Sequence, residues 1–304
     1  MKCSFPAFCY TIIFVASLQQ TLAQNFDSTQ IKTIKITEKI FMLEGDGGNI
    51  GVLVGKDGIV MIDDQFAPLS EKIKMALKVL SDKPVRFVIN THFHGDHSGG
   101  NEIFGGEGAI IVAQENSRIR MTSDQFMAGL DTLRKAAPYD ALPKVTFTES
   151  VTLHLNDETV EVFHVKNAHT DGDAIIYFRE SNVFHTGDVF VRYGLPYIDQ
   201  PHGGNIEGMI KGIDQLLTLV NDSSKIIPGH GVFSSTFSIV DNRLANKKDL
   251  LDYKNMLVTV RDRILKAMKE GKTISQIIDM DPIKEFKSFD RKGFIESVYD
   301  SLKK

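Results

Sequence analysis

Four side chains that can bind a metal ion lie close together in the pattern H-x-H-x-D-H over residues 92–97. In an extended segment successive side chains alternate sides, so His92 and His94 point the same way and can share one ion. The glycine that follows lets the chain turn, so Asp96 and His97 are aimed differently and can serve a second ion. Neutral imidazole and carboxylate suit zinc, and in some settings iron or manganese.

Two simpler explanations of this stretch are a histidine-rich surface loop and a purely structural zinc site. Random clustering of three histidines and an aspartate at a strand end is rare, which disfavours the first. Structural zinc sites are closed and often rich in cysteine. The only cysteines of this chain are Cys3 and Cys9, so the rest of the chain offers no thiolate as ligand or nucleophile. The pattern therefore favours a metal site that performs chemistry.

The N-terminus has the pattern of a secretory signal peptide. Lys2 is followed by a mostly apolar run from Phe5 to Leu18, and Ala23 is a plausible cleavage point. The run is short for a membrane span, which needs about 20 apolar residues. We predict a signal peptide over residues 1–23, with a retained N-terminal anchor as the alternative. An exported protein, periplasmic or secreted, with no stable membrane insertion after cleavage is the expectation.

The composition is that of an ordinary soluble globular protein, with 42% hydrophobic and 24% charged residues among 304. The net charge of −4 and the lack of a basic block disfavour nucleic acid as a partner. We therefore expect a small-molecule substrate, and the composition leaves the oligomeric state open.

Apolar segments with the character of β-strands lead into the candidate ligands. Residues 31–64 alternate short apolar runs with glycine-rich turns, which predicts a strand meander. Residues 69–80 predict a helix with Ser70 as its N-cap, and residues 85–90 predict a buried strand that runs into the first ligands. This alternation of strand and helix indicates an α/β fold.

The second half of the chain is also rich in predicted strands. They lie near residues 151–155, 160–165, 174–178, 183–188 and 225–231, with helices at 206–220 and beyond 241. The apolar stripe of the last helical region predicts packing rather than a cofactor site. Between the halves, residues 114–143 predict broken helices and a loop, which could form a substrate-facing lid or a surface helix that packs its Met and Phe inward.

Three further candidate ligands follow or precede predicted strands. Since strand ends on one edge of a sheet can converge, all of these donors could meet at one place. The full set is His92, His94, Asp96, His97, His169, Asp188 and His230. They divide into two sets of three with one left over. Asp188 is the favoured bridge, because a carboxylate has two oxygens and a negative charge to hold two cations together.

The order H-x-H-x-D-H, A-H-T, H-T-G-D and P-G-H-G resembles the metallo-β-lactamase superfamily over residues 31–240. The resemblance implies a four-layer αβ/βα sandwich, here with a C-terminal helical extension over 241–304 packed on that domain. It also implies the ligand sets. His92, His94 and His169 would hold the first metal, Asp96, His97 and His230 the second, and Asp188 would bridge them.

Two features place the chain within that family. Its cysteine-using lactamases have a cysteine at the position of Asp188, whereas the aspartate here resembles glyoxalase II and broad-range hydrolases. The segment from Tyr193 to Gly231 is similar to exported hydrolases of the same fold. Of the other histidines, His185 is expected to support the ligands or the structure, and His202, on a glycine-rich loop, could face substrate.

These features predict a hydrolase with two zinc ions, with iron or manganese not excluded. A hydroxide shared by the two ions would attack the carbonyl of an amide or β-lactam, a lactone or a thioester, and Asp96 would orient it and pass on its proton. The alternatives are a β-lactamase proper and, less favoured on charge, a phosphodiesterase. An iron enzyme and a non-catalytic binding protein are further rivals, although the latter would be expected to have lost ligands.

Overall fold

The computed structural model describes residues 26–127, 132–233, 239–241, 243–288 and 290–303. The predicted signal peptide, residues 1–23, lies outside these ranges. Among the helices within them, none combines the length and the apolar character that a bilayer crossing requires.

Two β-sheets form the centre of the molecule. The strands of the first are β1 (Lys32–Lys35), β2 (Ile40–Glu44), β3 (Ile50–Leu53), β4 (Ile59–Ile62), β5 (Val85–Ile89), β6 (Ile110–Gln114) and β9 (Val145–Phe147). They lie side by side in that order. Strands β1 to β4 are antiparallel, which confirms the predicted meander, and β4, β5, β6 and β9 are parallel.

The second sheet has five strands. They are β10 (Ser150–Leu155), β11 (Glu158–Val165), β12 (Asp173–Phe178), β13 (Val183–His185) and β14 (Lys225–Ile227). Neighbours are antiparallel except β13 and β14, which are parallel. Two small hairpins stand apart from the sheets, β7 (Gln125–Met127) with β8 (Thr132–Arg134) and β15 (Val232–Phe233) with β16 (Ile239–Asp241).

Eight α-helices lie within the described residues, and most of them cover the outer faces of the two sheets. They are α1 (Ser70–Leu80), α2 (Gly95–Ser98), α3 (Asn101–Gly106), α4 (Glu115–Met121), α5 (Ile206–Leu219), α6 (Lys247–Lys269), α7 (Ile274–Met280) and α8 (Arg291–Leu302). Ser70 is not the N-cap of α1, so that prediction was wrong. A 3₁₀ turn at Ala67–Leu69 precedes the helix, Leu69 occupies the cap position, and Ser70 is the first helical residue.

Three apolar layers hold four structural layers together. Met42 and Ile62 of the first sheet meet Val162 and Ile176 of the second in the central layer. Residues of α1 and α3 pack on the far side of the first sheet, and α5, α6 and α8 pack on the far side of the second. The molecule is therefore a four-layer αβ/βα sandwich with C-terminal helices, which confirms the predicted fold class.

The C-terminal helices share a core with the second sheet. One face of α6 is buried, as the apolar stripe predicted, with Leu250, Tyr253, Leu257, Val260 and Ile264 inward. These side chains belong to the same apolar cluster as Ile213 of α5 and Phe184 of β13. A division of the chain near residue 240 remains a prediction.

The strand ends that lead into the candidate ligands lie at one shared edge of the two sheets. Since β4 and β5 are parallel, their carboxyl ends meet at this edge, and the same holds for β13 and β14. Two backbone hydrogen bonds join the sheets there. The amide of Ala174 donates to the carbonyl of Thr91 at 2.7 Å, and the amide of Asn49 donates to that of Gly229 at 2.8 Å.

The packing of α6 predicts different costs for two leucines on the same helix. Leu257 is fully buried, whereas Leu251 is 41% exposed. We expect Leu257→Ala to lower the free energy of unfolding by about 2–5 kcal/mol, because it leaves a cavity in the core. The matched change Leu251→Ala should cost less than about 1 kcal/mol. Chemical denaturation measures both, and an equal loss would show that α6 does not share the core.

Candidate metal centre

The structure brings all seven predicted ligands together at the shared sheet edge. Their donor atoms form three groups, each within 4.8 Å. We name two of them after their central histidine. The His92 group is His92, His94 and His169, and the His97 group is Asp96, His97 and His230. The third, His92, His97 and Asp188, joins the two.

Imidazole nitrogens face one another within each group. In the His92 group, Nδ1 of His94 is 3.0 Å from Nε2 of His169. In the His97 group, Nε2 of His97 is 3.1 Å from Nε2 of His230, which is also 3.2 Å from Oδ2 of Asp96. Two nitrogens bound to one tetrahedral zinc at about 2.0–2.1 Å would lie roughly 3.3–3.4 Å apart, close to these separations.

The carboxylate of Asp188 lies between the two groups. Its Oδ1 is 3.2 Å from Nε2 of His97 and 3.5 Å from Nε2 of His230. Its Oδ2 is 3.8 Å from Nε2 of His169. Because one oxygen is directed at each group, this side chain is placed to contact two ions at once.

Hydrogen bonds on the outer side of the rings set which nitrogen of His92 is protonated. The hydroxyl of Thr91 donates to Oδ2 of Asp63 at 2.7 Å. The Thr91 oxygen can then only accept, so Nδ1 of His92, 3.0 Å away, carries the proton that it receives. The inward Nε2 of His92 therefore keeps its lone pair, and it is buried with no hydrogen-bond partner among the described residues. Such an orphaned acceptor fits a metal ligand.

Other histidines are oriented in the same manner. Nδ1 of His97 lies 2.8 Å from Oδ2 of Asp63, and Nε2 of His94 lies 2.8 Å from Oδ2 of Asp199. Nδ1 of His169 lies 2.8 Å from the carbonyl of Tyr197. Each oxygen accepts a hydrogen bond from the outer N–H of its ring and so directs the other nitrogen inward, which is how metal-binding imidazoles are usually held.

Burial and charge act against each other across the site. Burial and the neighbouring imidazole of His97 lower the pKa of His92 well below its usual range, and burial lowers the pKa of His169 to about 4. Burial also acts to lower the pKa of His97, but the carboxylates of Asp188 and Asp96 raise it well above the usual range. The charges that raise it would also attract a cation.

The two carboxylates are held ionised despite their surroundings. Burial alone would raise the pKa of Asp188, but His230 and His97 hold it well below its usual range. The pKa of Asp96 is also lowered, because His97 and His230 outweigh the effect of burial. Ionised carboxylates and imidazole nitrogens are both ligands that zinc accepts.

Close approach of the backbone makes room for these side chains. A Cβ at Gly48 would overlap the imidazole of His97, and a Cβ at Gly229 would overlap Oδ1 of Asp188. Two residues of the loop after β4, Asp63 and Gln65, have positive φ angles of 64° and 57°. Strained backbone of this kind persists where the surrounding structure demands it, often at functional sites.

The two remaining candidate histidines do not reach the inward donor atoms. His185 is buried, and its Nε2 lies 2.9 Å from the carbonyl of Asn49, so it links the sheets beneath the site. His202 is also buried, and its Nδ1 lies 2.7 Å from Oδ2 of Asp199, the same oxygen that holds His94. His202 does not line the cavity described below, so it supports a ligand instead of facing that space.

Asp63 and Asp199 are site residues that the sequence analysis did not identify. Asp63 follows a predicted strand, as the ligands do, and that placement was a usable signal. Nothing in the spacing of Asp199 links it to His94, because the two lie 105 residues apart in the chain.

A cavity of about 1720 Å³ opens beside the ligands. This is larger than the roughly 300–1,000 Å³ of most small-molecule pockets. Residues 28–30, 44–46 and 132–138 are among those that line it. The region predicted as broken helices and a loop is in fact α4 followed by the β7–β8 hairpin. Met121 and Met127 pack on Phe93, while Phe126 is exposed, so the hairpin forms a wall of the cavity.

Comparisons with known proteins agree with this geometry. The family model described as the metallo-beta-lactamase superfamily matches residues 43–231. A linear primary-alkylsulfatase of a Pseudomonas species is 20% identical over 260 residues, which is 73% of this chain and 48% of that protein. The hydroxyacylglutathione hydrolase GloC of Haemophilus influenzae is 27% identical over 173 residues, 54% of this chain and 74% of that protein.

A solved structure shows the same fold. The stereoselective inverting sec-alkylsulfatase of a Pseudomonas species has a TM-score of 0.66 and 17% sequence identity, with 89% of this chain and 50% of that chain covered. This chain thus spans about half the length of the two alkylsulfatases that it matches.

The opposite pKa shifts within the site predict stepwise release of metal on acidification. A proton competes with an ion for the inward nitrogen of His97, whose pKa is raised, whereas His169 stays neutral until about pH 4. As pH falls, an ion held by the His97 group should therefore leave before one held by the His92 group. Metal content after dialysis at each pH measures this, and simultaneous loss from both groups would contradict it.

The hydrogen bond from His94 predicts a role for Asp199 in metal affinity. Asp199→Asn should weaken zinc binding about 10–100-fold, because the amide no longer offers a charged acceptor to the ring. Competition with a chelator of known affinity gives the constant. Asp157→Asn, which removes a surface carboxylate paired with Lys56, is the control and should bind zinc as the unchanged protein does. An unaltered zinc dissociation constant for Asp199→Asn would show that Asp199 does not contribute to metal affinity.

Proposed function

The chain belongs to the metallo-beta-lactamase superfamily, and we propose that it is a dinuclear zinc hydrolase that attacks an electrophilic carbonyl. The convergence of three donor groups on a common centre is the observation that carries this proposal. The substrate classes are those of the sequence analysis, an amide or β-lactam, a lactone, or a thioester.

The donor types support zinc as the metal. The site offers five imidazoles and two carboxylates, and the described residues contain no cysteine that could add a thiolate. Iron and manganese accept similar ligands and remain alternatives. When bound, two zinc ions would lower the pKa of a shared water toward about 7 and polarise the oxygen of a carbonyl.

The residues of the chain would hold the ions, accept the proton of the attacking water and orient the imidazole rings. The His92 group and the His97 group would each hold one ion, with Asp188 in contact with both. Asp96 lines the cavity, and its Oδ2 is directed toward His230. Its ionised carboxylate can accept a hydrogen bond from the attacking water and take its proton. Asp63 and Asp199 keep the rings of His97 and His94 in place.

Sulfate-ester hydrolysis is the second candidate. It is favoured by similarity to two alkylsulfatases, of which this chain spans about half. The similarity to a hydroxyacylglutathione hydrolase favours carbonyl chemistry on a thioester instead. A β-lactamase proper is the further alternative from within the family. A phosphodiesterase is the least supported, since the net charge of −4 does not favour a polyanionic substrate.

We also propose that the protein is exported. The support is the pattern of residues 1–23, a basic residue followed by a short apolar run and a small residue. A small-molecule substrate in the periplasm or outside the cell follows from this.

Removal of single ligands should lower metal binding and hydrolysis together. We expect His94→Ala and Asp188→Ala each to retain fewer than two zinc ions and to lose at least about 100-fold in kcat/KM, because catalysis needs both ions. His154→Ala is the control, since this histidine is exposed on β10. Elemental analysis and a panel of a lactone, a thioester, nitrocefin, an alkyl sulfate and a phosphodiester provide the measurements.

Two outcomes would refute the proposal. One is full turnover by protein stripped of metal with a chelator. The other is a zinc-replete protein that hydrolyses none of the panel. Preferred turnover of the alkyl sulfate would favour the second candidate over the first.

A further inference from the structure

Arg134 lies in the β7–β8 hairpin, which forms a wall of the cavity, and it places a positive charge beside the metal site. It is the last residue of β8, and it lines the cavity together with His94, Asp96 and Asp188. Its guanidinium donates to the carbonyl of Phe93, between the first two ligands, and to Oγ of Ser98 at 3.1 Å. These two bonds hold the side chain over the ligand loop.

Arg134 differs from the other cations of this cavity in its lack of a carboxylate partner. Lys32 pairs with Glu44 at 2.8 Å, and Lys135 pairs with Asp124 at 2.8 Å. No carboxylate oxygen of the described residues lies within the 4.0 Å ion-pair distance of the Arg134 guanidinium. The side chain is nevertheless half-buried. Partial removal of a charge from water without a counter-ion is costly, and an anion that enters the cavity would offset this cost.

The nearest acidic groups are not available as counter-ions. Asp96 is directed at His230 and belongs to the His97 group. Asp64 is fully buried, and its Oδ1 accepts the backbone amide of Gly100 at 2.9 Å. Among the described residues no carboxylate therefore pairs with Arg134, which leaves its guanidinium available to an anion that enters the cavity.

We propose that Arg134 binds an oxyanion group of the substrate, a carboxylate or a sulfate, and so selects anionic substrates. Of its five N–H groups, two donate to the protein, and the planar fork can direct others at an oxyanion. Because it lines the same cavity as the ligands, the bound anion and the scissile bond belong to one molecule. This inference rests on the proposed function for the reaction, and it adds the recognition of charge.

A matched pair of substrates tests the proposal. The pair is two aryl esters of equal chain length, one neutral and one with a terminal carboxylate, assayed with zinc-loaded protein. The unchanged protein should prefer the anionic ester. Arg134→Gln should lower kcat/KM for that ester about 10–100-fold, mainly through KM, and leave the neutral ester within about twofold. Arg134→Lys should retain part of the preference, since it keeps the charge and loses the fork.

The control is Arg118→Gln in α4. Arg118 also donates to a backbone carbonyl, that of Pro143 at 2.6 Å, but it does not line the cavity. Its removal should leave both esters unaffected. Zinc content is measured in every variant, because Arg134 also contacts the ligand loop.

The outcomes distinguish recognition of an anion by Arg134 from bracing of the ligand loop. Equal loss on both esters, or loss of zinc in Arg134→Gln, would show that the residue only braces the loop and would overturn the proposal. No preference for the anionic ester in the unchanged protein would overturn it as well.

A binding measurement keeps this test independent of turnover. Glutarate binding by calorimetry should be lost in Arg134→Gln and kept in Arg118→Gln, and competition by hexyl sulfate would identify sulfate as a second accepted anion. Glutarate binding that is unchanged in Arg134→Gln would overturn the proposal. If neither ester is hydrolysed but glutarate binding depends on Arg134, the proposed reaction fails while anion recognition stands.

Discussion

Five imidazoles and two carboxylates face one another at the edge of the sandwich, and nearly all are buried. Such a cluster is costly to assemble, because polar groups lose water and like groups are brought together. Nitrogens about 3 Å apart with their lone pairs inward have no good partner in the protein itself, and a cation supplies one. The fold contributes rigidity, because the apolar layers fix the strand ends from which every ligand loop starts.

Asp63 and Asp199 show how this arrangement is stabilised away from the ligands. The carboxylate of Asp63 accepts hydrogen bonds from the backbone amide and the hydroxyl of Thr91 and from the ring of His97. One side chain therefore connects the ends of β4 and β5. The Oδ2 atom of Asp199 accepts hydrogen bonds from the rings of both His94 and His202. Each therefore fixes ring orientation and joins chain segments that are distant in sequence. Neither belongs to the predicted ligands, so each supports the site through the rings that it holds.

Local pattern in the sequence carries the information for much of the fold and for the candidate donors. The strand-loop spacing predicted that the seven candidate ligands meet at one edge, and the structure has their donor atoms together there. The apolar stripe of α6 predicted the buried face that includes Leu257. Local pattern is insufficient where tertiary contacts decide. The β7–β8 hairpin lacks strong alternation, and its packing of Met127 on Phe93 depends on a partner far away in the chain. The sequence does not indicate the role of Asp199 for the same reason, because only the folded chain brings it to His94.

The position of the hairpin wall has a consequence for how the fold diversifies. Residues 115–144 connect β6 to β9, which are parallel neighbours in the first sheet, so this connection can change length without a shift in strand register. Lengthening a flexible loop is thermodynamically cheap, since a doubling costs only about 0.6 kcal/mol. Insertions and deletions here can therefore reshape the wall of the cavity while the predicted ligands keep their places. The bonds from Arg134 and the packing of Met127 on Phe93 join this connection to the ligand loop.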